Sequence, residues 1–126
     1  MYSGSCLCGS VAFTIDGDLS PPSVCHCGQG RKQSGQVWAS TTAHQDNRGF
    51  SARDTLNWFH ASDTARRGFC SKCGSFLFWQ HNQEDTISIS MGAFDAPTGL
   101  KLSKHIFVAD KGDYYDITDD LPQRAQ

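Results

Sequence analysis

Alternation of apolar and polar positions is the strongest pattern in this chain. Thr86-Ile87-Ser88-Ile89-Ser90-Met91 keeps a strict period of two, so a strand is predicted over 86–91 with Ile87, Ile89 and Met91 on one face. Residues 10–15 alternate in the same way and stop at the turn signal Asp16-Gly17-Asp18. Shorter stretches at 36–41, 55–61, 67–69 and 105–108 also read as strands, separated by Gly, Asn or Asp. Residues 75–80 break the alternation with Phe76-Leu77-Phe78-Trp79, which predicts burial on both faces. Core packing is the first reading of these aromatics, and Trp38, Phe59 or Trp79 is a candidate for a pocket wall. Pro21-Pro22 forces an extended approach to Cys25. Helix is expected only as a turn over 29–34, and the polar residues 119–126 are expected to fray. The pattern predicts a mainly β chain of short strands forming one domain over 1–126.

Composition narrows the function classes. Only 38% of the 126 residues are hydrophobic, while twelve are glycine, so core volume alone is a weak source of stability. The formal charge of −2, with Lys and Arg scattered, offers no basic stripe for nucleic acid and none for an anionic membrane. Residues 1–5 lack a charged region and an apolar stretch of the signal-peptide kind, and no apolar run reaches the length of a membrane span. A cytoplasmic, reducing location is therefore expected, where clustered cysteines bind metal more often than they form disulfides. A secreted, disulfide-stapled module is the alternative.

All six cysteines fall in close pairs: Cys6-Leu7-Cys8, Cys25-His26-Cys27 and Cys70-Ser71-Lys72-Cys73. Two thiolates from each of two tight turns make the four ligands of a tetrahedral zinc, and four thiolates leave no open position. Cys6, Cys8, Cys70 and Cys73 are thus expected to hold a structural zinc. The first turn is followed by Gly9 and the second by Gly74, where glycine relieves the backbone just past the ligands. Cys25 and Cys27 have no equally short partner pair, which suggests an open, reactive site.

Around that pair the sequence becomes recognisable. Residues 23–35, with Gly4-Ser5-Cys6-Leu7-Cys8-Gly9-Ser10-Val11, Phe69-Cys70-Ser71-Lys72-Cys73-Gly74-Ser75 and His105-Ile106-Phe107-Val108, resemble the glutathione-dependent formaldehyde-activating enzyme family, which includes centromere protein V. Tyr115 and Asp119-Asp120-Leu121-Pro122 extend the match. The resemblance implies a β-tent fold stapled by a structural zinc. It also implies a second zinc at Cys25 and Cys27 beside a pocket for a thiol substrate, with Cys25 and Cys27 as the catalytic residues. One departure stands out: the family's third cysteine at this site corresponds to Gly30 here. Three readings stay open. Another side chain completes the shell, from His44, His60, His81, His105 or His26; or the substrate thiolate does; or the second metal is weakly held or absent.

The function that the resemblance implies is that of a carbon–sulfur lyase, like S-hydroxymethylglutathione synthase. It would join or separate a small thiol such as glutathione and a small aldehyde or related electrophile such as formaldehyde. Arg31 and Lys32 are candidates to pair with a substrate carboxylate, and Ser34 and Gly35 to shape the pocket wall. His26 reads as a packed group inside the knuckle and His105 as a satisfied core histidine, while Asp119 and Asp120 receive no role. The alternative is a non-catalytic β-tent module that keeps the structural zinc and has lost the reactive one.

Overall fold

The computed structural model describes residues 1–126 and builds them into ten strands and one short helix. In chain order these are β1 (Tyr2–Ser5), β2 (Ala12–Ile15), β3 (Ser23–Cys25), α1 (Gly28–Ser34), β4 (Trp38–His44), β5 (Arg48–Ala52), β6 (Leu56–Phe59), β7 (Ala65–Cys70), β8 (Phe76–His81), β9 (Thr86–Ser90) and β10 (Lys104–Ile106). One sheet has three antiparallel strands in the order β1-β2-β5. The other has seven in the order β10-β3-β4-β9-β8-β7-β6, antiparallel except for the β10–β3 pair. The mainly β, β-tent expectation holds.

Period-two alternation gives the large sheet two functional faces. Trp58, Gly68, Phe78, Ile89 and Thr41 form one cross-strand row, and it faces the small sheet. There Phe13 and Phe78 meet edge to face at 5.2 Å, above the fully buried Ile15, Leu77, Ile87 and Ile89. Each such side chain contributes about 2 kcal/mol on burial. Glycine at position 68 leaves room for the rings, because a Cβ would lie 3.0 Å from the Trp58 ring and 3.2 Å from the Phe78 ring and would press both aside. The adjacent row, Phe59, Arg67, Trp79, Ser88 and Thr42, lies on the opposite face. That face carries the pocket described below.

Three strands escape the sequence pattern. β1 has a single aromatic and forms through its backbone pairing with β2. Its Gly4 lets the strand approach Phe13 and the Ala93 carbonyl, which a Cβ would meet at 2.6 and 2.7 Å. β3 and β5 have few apolar positions; in β5, Arg48 lies over the Phe50 and Phe78 rings at 4.7 and 4.8 Å. The expectation of a frayed tail is corrected. The His105 and Val108 N–H groups donate to the Pro122 and Arg124 carbonyls, and the Arg124 N–H donates to the His105 carbonyl. Polar side chains do not loosen this segment, because its backbone is paired along the β10 edge.

Candidate functional site

The two cysteine knuckles converge. Cys6 Sγ lies 3.6 Å from Cys8 Sγ, Cys8 Sγ lies 3.8 Å from Cys70 Sγ, and all four sulfurs, including that of Cys73, lie within 4.8 Å of one another. A tetrahedron of zinc–sulfur bonds has an edge of about 3.8 Å, so the four thiolates fit an ion of that size. Gly9 and Gly74 both adopt the left-handed backbone, at φ of +80° and +81°, directly after their cysteines. Donors surround the sulfurs: the Val11 N–H reaches Cys6, the Thr55 hydroxyl Cys70 and the Ser75 hydroxyl Cys73, at 3.2–3.3 Å. The Ser75 hydroxyl and nearby N–H groups pull the Cys73 thiol down to about 5, and the Thr55 hydroxyl lowers Cys70. Burial pushes Cys6 the other way.

Cys25 ends β3, and Cys27 caps α1, where its Sγ accepts the Gly30 N–H at 3.2 Å. Both line a cavity of about 630 Å³ on the open face of the large sheet, together with Trp38, Arg67, Trp79 and Phe107. Ser23 and Ser40, and Thr42 and Ser88, are cross-strand pairs that supply hydroxyls along its floor. The Cys25 thiol, the Gly30 N–H and the Arg67 charge bring Cys27 down to about 5, while the same thiol–thiol contact and burial raise Cys25.

The donor set here does not fit a resident zinc. Catalytic zinc takes three protein ligands, and no third Cys, His, Asp or Glu clusters with Cys25 and Cys27. Gly30 occupies the gap: a Cβ there would lie 3.2 Å from Cys27 Sγ and 3.9 Å from the Trp38 Cβ. The imidazoles are engaged elsewhere or remote from the pair. His44 contacts Asp46 and Asp85, and His81 accepts the Gln83 N–H. His60 is exposed.

His26 and His105 belong to a chain of hydrogen bonds that sequence reasoning missed. His105 Nε2 lies 3.0 Å from both Asp119 oxygens, and its Nδ1 lies 2.8 Å from His26 Nε2. A carboxylate only accepts, so His105 Nε2–H donates to it and His105 Nδ1 accepts from His26 Nε2–H. His26 Nδ1 is then free to accept the Tyr115 hydroxyl. Burial, followed by the neighbouring His105, lowers the His26 pKa, consistent with a neutral ring. The chain ties the tail to the Cys25–Cys27 knuckle. No local spacing signals it, because its partners are 14 to 89 residues apart.

The residues predicted after the motif lie on α1 and at its end. Lys32 lines an adjoining cavity of about 460 Å³ with Gln29, Gln33, Phe59 and Arg67, whereas Arg31, Ser34 and Gly35 line neither cavity. The Ser34 hydroxyl donates to the Gly30 carbonyl at 2.6 Å, and Gly35 caps the helix at φ +95°. Of the aromatic candidates, Trp38 and Trp79 line the thiol cavity and Phe59 the adjoining one. Arg67, which the sequence placed only in the strand predicted over 67–69, is the cation shared by both.

Residues 1–110 match the family model described as glutathione-dependent formaldehyde-activating enzyme, and the chain belongs to this family. It is 23% identical over 121 residues to a Schizosaccharomyces pombe protein named as an uncharacterized lyase, covering 92% of this chain and 85% of that protein. A crystal structure of a Rhodobacter sphaeroides protein superposes with a TM-score of 0.60 at 18% identity, over 80% of this chain and 99% of the other, and so shares the fold.

Proposed function

From family membership and the cavity around two cysteine sulfurs, we propose that the chain forms or cleaves adducts between a small, glutathione-like thiol and a small aldehyde or related electrophile. The placement of Cys25 and Cys27 in the wall of a cavity of about 630 Å³ is the observation that carries this reading. We assign zinc to Cys6, Cys8, Cys70 and Cys73, where it closes a structural tie between the sheets and takes no part in the reaction.

In the forward direction the thiol sulfur bonds to the carbonyl carbon. The S–H bond breaks, and the carbonyl oxygen gains the proton as its π pair becomes an O–H bond. The reverse step expels the thiol and restores the carbonyl. The cavity holds the two reactants together, which replaces a bimolecular encounter by an oriented one. Cys25 and Cys27 present one S–H donor and one sulfur acceptor to the transferring proton.

The test is exchange spectroscopy on labelled formaldehyde and glutathione. The protein should raise the exchange rate above buffer, and Cys27→Ser should remove about tenfold or more of that gain. An exchange rate equal to buffer would sink the enzyme reading. One observation favours the second reading, a non-catalytic thiol-binding module: Gly30 leaves the pair one ligand short of a catalytic zinc site. Glutathione binding without acceleration would establish it.

A further inference from the structure

We propose that Phe107 is a specificity-determining wall of the cavity and selects an electrophile bearing an aryl or branched alkyl group over formaldehyde. The proposal rests on the thiol–electrophile reading above and names the class of the carbonyl partner. Phe107 is the one non-glycine residue with a positive φ, at φ 55° and ψ 37°. A bulky side chain meets steric strain in this left-handed region, which glycine and asparagine enter readily. The fold holds the residue there from both sides. Before it, Ile106 pairs with Cys25 across β10 and β3, and the Ile106 carbonyl accepts the His26 N–H at 3.0 Å. After it, the Val108 N–H donates to the Arg124 carbonyl at 3.0 Å, and the Asp110 N–H donates to the Phe107 carbonyl at 3.1 Å.

Core packing does not offset that strain. Phe107 is 38% exposed and belongs neither to the hydrophobic core nor to the side chains packed on it. Its ring lines the cavity that holds Cys25 and Cys27. Asparagine or glycine would make the same turn at lower cost, so the turn does not account for a phenylalanine. Strain kept beside a reactive pair points to function at that position. Ala65, Trp79 and Ile106 line the same cavity, so apolar surface flanks the space beyond the two sulfurs. Formaldehyde carries no substituent that could cover this surface. An aldehyde with a flat or branched hydrocarbon group covers it while its carbonyl carbon meets the thiol sulfur. The bond changes are those given above, and the substituent stays bonded to the carbonyl carbon throughout.

NMR titration with benzyl alcohol and with methanol reads the wall without chemistry, because neither probe forms a thiol adduct. Wild-type protein should bind benzyl alcohol about tenfold or more tightly than methanol, with nuclear Overhauser contacts from the probe ring to Phe107. Phe107→Asn removes the ring and keeps a residue suited to the left-handed backbone. This variant should weaken benzyl alcohol about tenfold, with its melting temperature reporting on the fold, and Phe107→Tyr should preserve the affinity. Equal affinity for the two alcohols, missing contacts to Phe107, or full affinity in Phe107→Asn would overturn the wall. Benzaldehyde and formaldehyde are then compared in the exchange assay with glutathione. The gain over buffer should be about tenfold or more larger for benzaldehyde, and Phe107→Asn should bring the two together. Equal gains in the wild type would overturn the selectivity and leave the functional reading standing. Failure of that reading looks different: benzyl alcohol binds at Phe107 while both aldehydes exchange at the buffer rate. That result would keep an aryl-binding wall and overturn its link to an electrophile.

Discussion

At the scale of single residues, position 30 decides what the Cys25–Cys27 pair can hold. Gly30 is buried in the first turn of α1, and its missing side chain would point at Cys27 Sγ. Its backbone is an ordinary helical one, absent from the positive-φ glycines, so a side chain meets no conformational strain there. The 3.2 Å approach requires Cys27 to give by a few tenths of an ångström, which a metal bridging the two sulfurs would supply. Gly30→Cys is therefore expected to raise the metal content of gel-filtered protein from one ion per chain to two, and Gly30→Ala to leave it at one. No gain for the cysteine variant would remove position 30 from any ligand shell. The cysteines and Gly30 were legible in the sequence because ligands in a knuckle are neighbours in the chain. Arg67 was not, because its place beside Cys25 and Cys27 depends on the register of β7 and on the two glutamines of α1.

Elements differ in how they announce themselves. β9 and β8 are legible because one face or both are buried, which forces period two or a continuous apolar run. β1, β3 and the tail carry no such signature, since backbone pairing to a preformed edge places them, and edge pairing is blind to side-chain pattern. The tail also gains a side-chain lock from Asp119, whose carboxylate accepts the Leu121 N–H and His105 Nε2–H. Those two donors hold its pKa below the ordinary 3.8. A lowered carboxylate pKa contributes stability that is complete above the unfolded value and is lost as pH falls through the folded one. Asp119→Asn should therefore lower the melting temperature at neutral pH, and its deficit should shrink as pH falls below 3.8. Thermal scans of both proteins across that range measure this, and a deficit constant with pH would remove the ionic lock. His26 and His105 both face Asp119 and lose that partner in the variant, so the shrinking deficit is read below 3.8, where the carboxylate itself titrates.

For the whole molecule, the question is what holds two thin sheets together when only 38% of the residues are hydrophobic. The shared core of Phe13, Phe78, Ile87, Ile89 and Leu77 is one tie. The four-cysteine cluster is the other, joining the end of β1 to the β7–β8 turn, with Cys6 and Cys70 themselves in the core. Structural zinc binding in small peptides supplies about 10–16 kcal/mol of apparent free energy, as large as the whole stability of a typical domain, about 5–15 kcal/mol. Without the ion proposed for this cluster, Cys6 and Cys70 are buried thiols with nothing to coordinate. Chelation under warming should accordingly release one zinc per chain and lower the melting temperature by about 15 °C or more. Cys70→Ser should reproduce the loss without chelator. The effect extends to the pocket, because β7 and β8 carry Arg67 and Trp79 and end or begin at the same knuckle. Thiol binding should therefore fall together with the metal, although no pocket residue ligates it. A chelated protein that kept its melting temperature, or that melted earlier but still bound glutathione at full strength, would show that the sheets and the pocket stand without this tie.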